Sequence, residues 1–139
     1  MTRLYLMRHG QTLFNTLNRI QGWCDSPLTE KGREQARQVR AYFEKHDMTF
    51  DQYYCTTTER ASDTIELATG RTDYKRVKGL KEMHFGIFEG QPEYLHPKTS
   101  VVGHFGDHYA QFGGESQDQF VERAARIVLL ETNVQRVRT

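Results

Sequence analysis

Short apolar runs alternate with stretches of helical periodicity in the N-terminal half of this chain, and that alternation admits few folds. Leu4-Tyr5-Leu6-Met7 is a compact apolar run followed directly by Arg8-His9-Gly10, which reads as a buried strand delivering polar side chains at its carboxyl end. After the turn signal Asp25-Ser26-Pro27, Thr29 is placed to cap a helix in which Ala36, Val39 and Phe43 recur at helical spacing. Residues 50–55 form a second candidate strand, and the run Thr56-Thr57-Thr58 precedes a second helix with Ala61, Ile65 and Ala68 on one face. The order β, α, β, α predicts an α/β fold: a three-layer α/β/α domain around a mainly parallel sheet, because parallel neighbours need a crossover helix. In open sheets of this kind, ligands sit at the carboxyl ends of the strands, where Arg8 and His9 fall.

A third strand is expected at residues 74–77, followed by a glycine-punctuated stretch at 80–90. Residues 91–114 show no sustained periodicity and are rich in Pro, His, Gly and aromatics; a loop longer than about 15 residues in a compact domain is usually functional, so it reads as a lid-like insertion. Ser116 and Gln119 have the spacing of a capping box ahead of Phe120, Ala124, Ile127 and Val128, which predicts a final amphipathic helix. The tail 131–139 is polar. At 139 residues the chain reads as a single domain, 1–139.

Composition narrows the function classes. Nineteen Lys and Arg against 18 Asp and Glu leave no global field for holding nucleic acid or a membrane surface, so any anion affinity must be local. Cys24 and Cys55 do not make a disulfide framework, and the start MTRLYLMRHG is too short and polar for a secretory signal; a reducing, cytoplasmic setting is the expectation. No apolar run approaches the roughly 20 residues of a membrane span, and mean hydropathy is −0.75.

An arginine beside a histidine at a strand end says little alone, since such pairs are often merely solvated. Here Arg8-His9-Gly10-Gln11-Thr12 and Asn15 are followed in order by Gln21-Gly22-Trp23, Asp25, Pro27-Leu28-Thr29 and Gly32, and then Gln35-Ala36. Arg60-Ala61 with Thr64, Leu80-Lys81-Glu82, Phe85-Gly86, Glu89-Gly90 and Gly113-Gly114-Glu115-Ser116 continue the series. This ordered set closely resembles the signature of the histidine phosphatase superfamily, the phosphoglycerate mutase-like proteins, over nearly the whole chain.

The resemblance implies a phosphomonoester hydrolase that works through a phosphohistidine at His9. Neutral imidazole is a good nucleophile near neutral pH, and a covalent intermediate divides the barrier in two. Charge in phosphoryl transfer spreads over the equatorial oxygens, which Arg8 and Arg60 are expected to clamp with two-pronged hydrogen bonds; no metal or other cofactor is implied. The resemblance further implies that Glu82 is the proton donor to the leaving oxygen and that Asn15, Gln21 and Gly22 contact substrate or phosphate, by side chain or backbone. A surface salt bridge is the bland reading of Glu82. The expected partner is a small phosphorylated substrate, with no nucleic acid and no membrane, and self-association is left open. The segment from Gln21 to Thr29 looks more like the broad phosphatases than like glycolytic mutases; phosphoglycerate mutase is the alternative activity.

Two other constellations carry less. Cys55 to Arg60 is one residue too short for a cysteine-phosphatase loop and lacks its glycines, and His104 and His108 flank Gly106, which weakens any zinc-binding helix there. Family members also continue past the final helix into a strand that ends in a second His-Gly, is central to the sheet and pairs next to the His9 strand; no such segment follows here. Truncation or an interrupted frame is the favoured expectation. The others are a sheet completed by another chain and a non-catalytic phosphate binder.

Overall fold

The computed structural model describes residues 2–132. Four α-helices, α1 (Leu13–Thr16), α2 (Glu30–Lys45), α3 (Glu59–Thr69) and α4 (Gln117–Thr132), are joined by short 3-10 turns and a two-stranded sheet. Strand β1 (Tyr54–Cys55) pairs in parallel with β2 (Lys75–Arg76), in the register Tyr54 to Lys75 and Cys55 to Arg76, with α3 as the crossover between them. The predicted β, α, β order and parallel sense are therefore seen. The full three-layer sheet is not: the described sheet has two strands, and both are shorter than the runs at 50–55 and 74–77.

The largest departure is at residues 4–7. They form no strand, and Leu4, Tyr5, Leu6 and Met7 are 47, 54, 81 and 45% exposed. A strand exists only by pairing, and an apolar run without a neighbouring edge keeps its backbone groups in solvent. Residues 2–9 instead line one wall of an open cleft of about 850 Å³ whose other wall includes Phe50, Tyr54 and Cys55. Tyr5 is tied across it edge-on to Phe50, which packs in the same way on Phe43 of α2. Of the polar tail, residues 133–139 lie outside the described residues.

The helices follow the expected local chemistry. Thr29 accepts a hydrogen bond from the Gly32 N–H at 3.1 Å, capping α2, and Ala36 on the predicted stripe is buried. Thr29→Ala should cost about 1 kcal/mol of stability, read as a lowered urea midpoint; an unchanged midpoint would show that the cap contributes nothing. In the capping box of α4, Ser116 Oγ accepts from the Gln119 N–H at 3.1 Å and Gln119 Oε1 accepts from the Ser116 N–H at 2.9 Å. Helix α3 differs in one respect. The Thr58 hydroxyl makes no cap, and Asp25 Oδ2, from the loop before α2, accepts the Glu59 N–H instead.

Two glycines bring α2 against the N-terminal segment. A Cβ on Gly32 would lie 2.1 Å from the Gln11 carbonyl oxygen, and one on Gly10 2.4 Å from the Gly32 oxygen. Both obstacles are backbone, so neither side can yield. Helices α2 and α3 pack together, and α4 lies on the 3-10 turn Lys78–Leu80.

Residues 91–114 contain the 3-10 turns Glu93–Leu95 and His108–Phe112. Their anchor is Tyr109, fully buried in a cluster with Ile20, Met83 and Phe85, against which Phe88, Phe105 and Phe120 pack. His108 packs on Phe88 and Phe112. Among the described residues, no helix is long and apolar enough to cross a membrane.

Candidate active site

The site is assembled around the backbone of Gly10. Its N–H donates to Thr64 Oγ1 at 3.1 Å, and that hydroxyl donates to the Arg60 carbonyl one turn earlier in α3 at 2.7 Å. Helix α3 thereby holds the segment that carries His9. The Gly10 carbonyl accepts from His9 Nδ1 at 2.8 Å. A carbonyl can only accept, so Nδ1 carries the proton, and in the neutral ring the lone pair resides on Nε2. Burial pushes the His9 pKa below its ordinary value, and the Arg60 and Arg8 charges push the same way; the Gly10 hydrogen bond and the Glu82 carboxylate oppose them. Arg8, Arg60 and Glu82 thus all lie within electrostatic reach of His9.

Arg60 is buried, its side chain 3% exposed. Its Nη1 donates to the Cys24 carbonyl at 2.7 Å and to Asp25 Oδ1 at 3.0 Å, and its Nη2 donates to the Gly22 carbonyl at 2.7 Å. Of the five guanidinium N–H groups, these bonds leave Nε–H and one on Nη2 unengaged among the described residues, the pair on one edge of the fork. Arg8 is exposed, and among the described residues no hydrogen bond or ion pair engages it. Glu82 is exposed, and its Oε1 accepts the Met83 N–H at 2.9 Å.

The other expected contact residues form a polar network. Asn15 Oδ1 accepts from the Thr12 N–H and hydroxyl at 2.9 and 3.0 Å, and Gln21 Nε2 donates to Thr12 Oγ1 at 3.0 Å while its Oε1 accepts from Ser26 at 2.5 Å. Thr12 itself is fully buried at the N-cap of α1. Both polar backbone atoms of Gly22 are engaged inside the protein, the carbonyl by Arg60 and the N–H by Glu89 at 3.1 Å.

Asp25, Thr64 and Glu89 stand in the sequence motif, which by itself gives them no task. Their signal was their place in it, Asp25 ahead of a Pro-Leu-Thr turn, Thr64 one turn beyond Arg60 and Glu89 in the Glu-Gly pair. Beside the site, Trp23 stacks on His84 with centroids 4.4 Å apart, and Arg123 donates to both oxygens of Glu115 and to the Gly79 and Lys81 carbonyls.

The structure thus brings together a His-Gly pair held by a crossover helix, an arginine on that helix and a carboxylate within electrostatic reach of the histidine. Residues 4–133 match the histidine phosphatase superfamily (branch 1), and the chain belongs to that family. It is 31% identical over 123 residues to a 2,3-bisphosphoglycerate-dependent phosphoglycerate mutase of Lactobacillus acidophilus, covering 85% of this chain and 51% of the relative. Among solved structures it resembles phosphoglycerate mutase from Bacillus anthracis, with a TM-score of 0.76 at 26% identity, over 90% of this chain and 65% of that one. It also resembles Bacillus stearothermophilus YhfR, with a TM-score of 0.73 at 30% identity, over 91% and 65%. The chain thus spans about half the length of the curated relative and about two-thirds of each structure.

Proposed function

We propose that this chain carries the nucleophile half of a phosphomonoester hydrolase, in which His9 Nε2 accepts the phosphoryl group and water later discharges it. The observation that carries this reading is the Nδ1–H bond to the Gly10 carbonyl, which presents Nε2 as the nucleophilic nitrogen. Burial keeps that nitrogen unprotonated at neutral pH. The free edge of Arg60 and the exposed guanidinium of Arg8 supply charge-assisted donors for the equatorial oxygens, and Glu82 delivers a proton to the leaving oxygen. Asn15 and Gln21, held through Thr12, shape the phosphate end of the pocket, with Gly22 beside them. Residues 91–114 close over the substrate as a lid rooted at Tyr109.

The names of the Lactobacillus and Bacillus anthracis relatives favour a second reading, a phosphoglycerate mutase. A mutase must hold its phosphoryl group while excluding water, so steady phosphate release without transfer selects the hydrolase.

Metal-free hydrolysis of p-nitrophenyl phosphate from mildly acidic to neutral pH tests the proposal. The His9 pKa is lowered in the folded chain, so its lone pair is lost only as pH falls through that lowered value, and turnover should persist below the ordinary imidazole value of 6.5. The unfolded chain takes up its proton first, so stability is full above about pH 6.5 and declines on acidification. An acid limb centred at or above 6.5 would contradict the lowered pKa. Absent turnover together with a melting temperature raised by phosphate would identify a binder instead.

A further inference from the structure

The three residues Gly22, Trp23 and Cys24 face two opposite charges with the two sides of their backbone. Their N–H groups all point at one carboxylate: Gly22 and Cys24 donate to Glu89 Oε2 at 3.1 Å each, and Trp23 donates to Oε1 at 2.8 Å. Their carbonyls point the other way, with Gly22 O and Cys24 O each accepting from the Arg60 guanidinium at 2.7 Å. Glu89 also accepts the Phe85 N–H at 3.1 Å, and Phe85 is a buried member of the Tyr109 cluster. Glu89 caps the 3-10 turn Gly86–Phe88, which follows directly from Phe85. The carboxylate therefore joins the buried aromatic cluster to the loop that grips Arg60.

The fit is close enough to exclude side chains. A Cβ on Gly22 would stand 2.0 Å from the Met83 carbonyl oxygen and 2.6 Å from Glu89 Oε1, so glycine is required for the backbone to reach the carboxylate. Burial raises the pKa of Glu89, yet the hydrogen bonds from Cys24, Phe85 and Trp23 outweigh it and hold the carboxylate below its ordinary value, ionised at neutral pH. Burial, followed by the hydrogen bond to Glu89 and then the Glu89 charge, pushes the Cys24 thiol up to about 12, so Cys24 adds no competing anion.

We propose that Glu89 is the positioning residue for Arg60, acting through the backbone of residues 22–24. Glu89 need not touch substrate: it fixes the Gly22 and Cys24 carbonyls, these fix Nη1 and Nη2, and the Nε–H edge of Arg60 is left aimed and unengaged. Without the carboxylate, three buried-side N–H groups lose their shared acceptor, the loop turns, and the guanidinium loses its orientation while keeping its charge. The proposal rests on the reading of Arg60 as a phosphate clamp.

Glu89→Gln keeps the size of the side chain and removes its charge, and it replaces one acceptor oxygen with a donor. Two measurements on the 139-residue chain read its effect: calorimetric titration with inorganic phosphate, and NMR of the Arg60 guanidinium N–H groups. Phosphate affinity should fall roughly tenfold or more, and in an Arg60→Lys background Glu89→Gln should add no further loss, because both changes break one unit. The Arg60 N–H signals, sharp in the wild type, should shift and exchange faster in Glu89→Gln. Losses that multiply in the double variant, or Arg60 signals unchanged by Glu89→Gln, overturn the proposal. Should the wild type bind no phosphate, the clamp reading fails, and the Arg60 signals still decide the positioning role. If Glu89→Gln does not fold, Glu89→Asp, which keeps the charge but withdraws it by one methylene, is judged by the same two criteria.

Discussion

Exposing the wild-type chain to a reactive phosphate donor should give an acid-labile, base-stable phosphoryl label, and His9→Ala should give none. The expected loss is complete because, among the described residues, only His9 combines a carbonyl-bound Nδ1, a lowered pKa and two nearby guanidinium charges. His84 offers no such arrangement: its ring is stacked on Trp23. His96 is hydrogen-bonded to the Tyr109 hydroxyl and stacked on Phe105. Its pKa is also lowered by burial, but it lies in the aromatic cluster with no arginine among the charges acting on it. Labelling of His9→Ala at the wild-type level, mapped to another histidine by mass spectrometry, would remove His9 from the mechanism.

Replacing the two arginines should separate binding from folding. Arg60→Ala strands the Gly22 and Cys24 carbonyls and leaves Asp25 without its cation, in a place where the side chain is 3% exposed. Each hydrogen bond lost from a charged donor is worth about 1.5–3 kcal/mol, so the urea midpoint should fall by the equivalent of about 3 kcal/mol or more. Arg8→Ala removes an exposed side chain that bonds to nothing among the described residues and should change stability by less than about 0.5 kcal/mol. Both variants should lose phosphate affinity. For catalysis, the loss of one oxyanion donor is worth on the order of 3 kcal/mol, or roughly a hundredfold in rate. Equal stability losses in the two variants would show that the Arg60 network is not a structural element.

This contrast bears on how arginine works at such a site. A guanidinium has five donors in a fixed fork, so one residue can be held by two carbonyls and a carboxylate and still present an edge to a phosphate. Arg60 is held by two carbonyls and a carboxylate, whereas Arg8 has no such fixed frame among the described residues. The same division appears among the carboxylates: Glu82 is exposed beside His9, and Glu89 is half-buried and committed to backbone N–H groups.

Much of the local structure was legible from residue order. The caps at Thr29 and Ser116 and the stripes through Ala36, Ile65 and Ile127 depend on chemistry within a few residues, and those helices form where the spacing placed them. Residues 4–7 show the limit of that reasoning. Their apolar character marks a strand, but a strand is a relation between two segments, and no described neighbour supplies the edge. The threonine run before α3 shows the same limit on a smaller scale, because the group that serves the helix start is Asp25, distant in sequence.

By itself, then, the order of residues determined the β, α, β crossover, the caps of α2 and α4 and the apolar stripes of α2, α3 and α4, since each follows from periodicity and capping over short spans. Only the tertiary structure decided which nitrogen of His9 is free, that the Arg60 guanidinium is held by the Gly22 and Cys24 carbonyls, and that Glu89 holds the N–H groups of the same loop. Those facts depend on where Gly10, Gly22 and Cys24 place their backbone atoms, and such positions are set by packing between segments far apart in the chain.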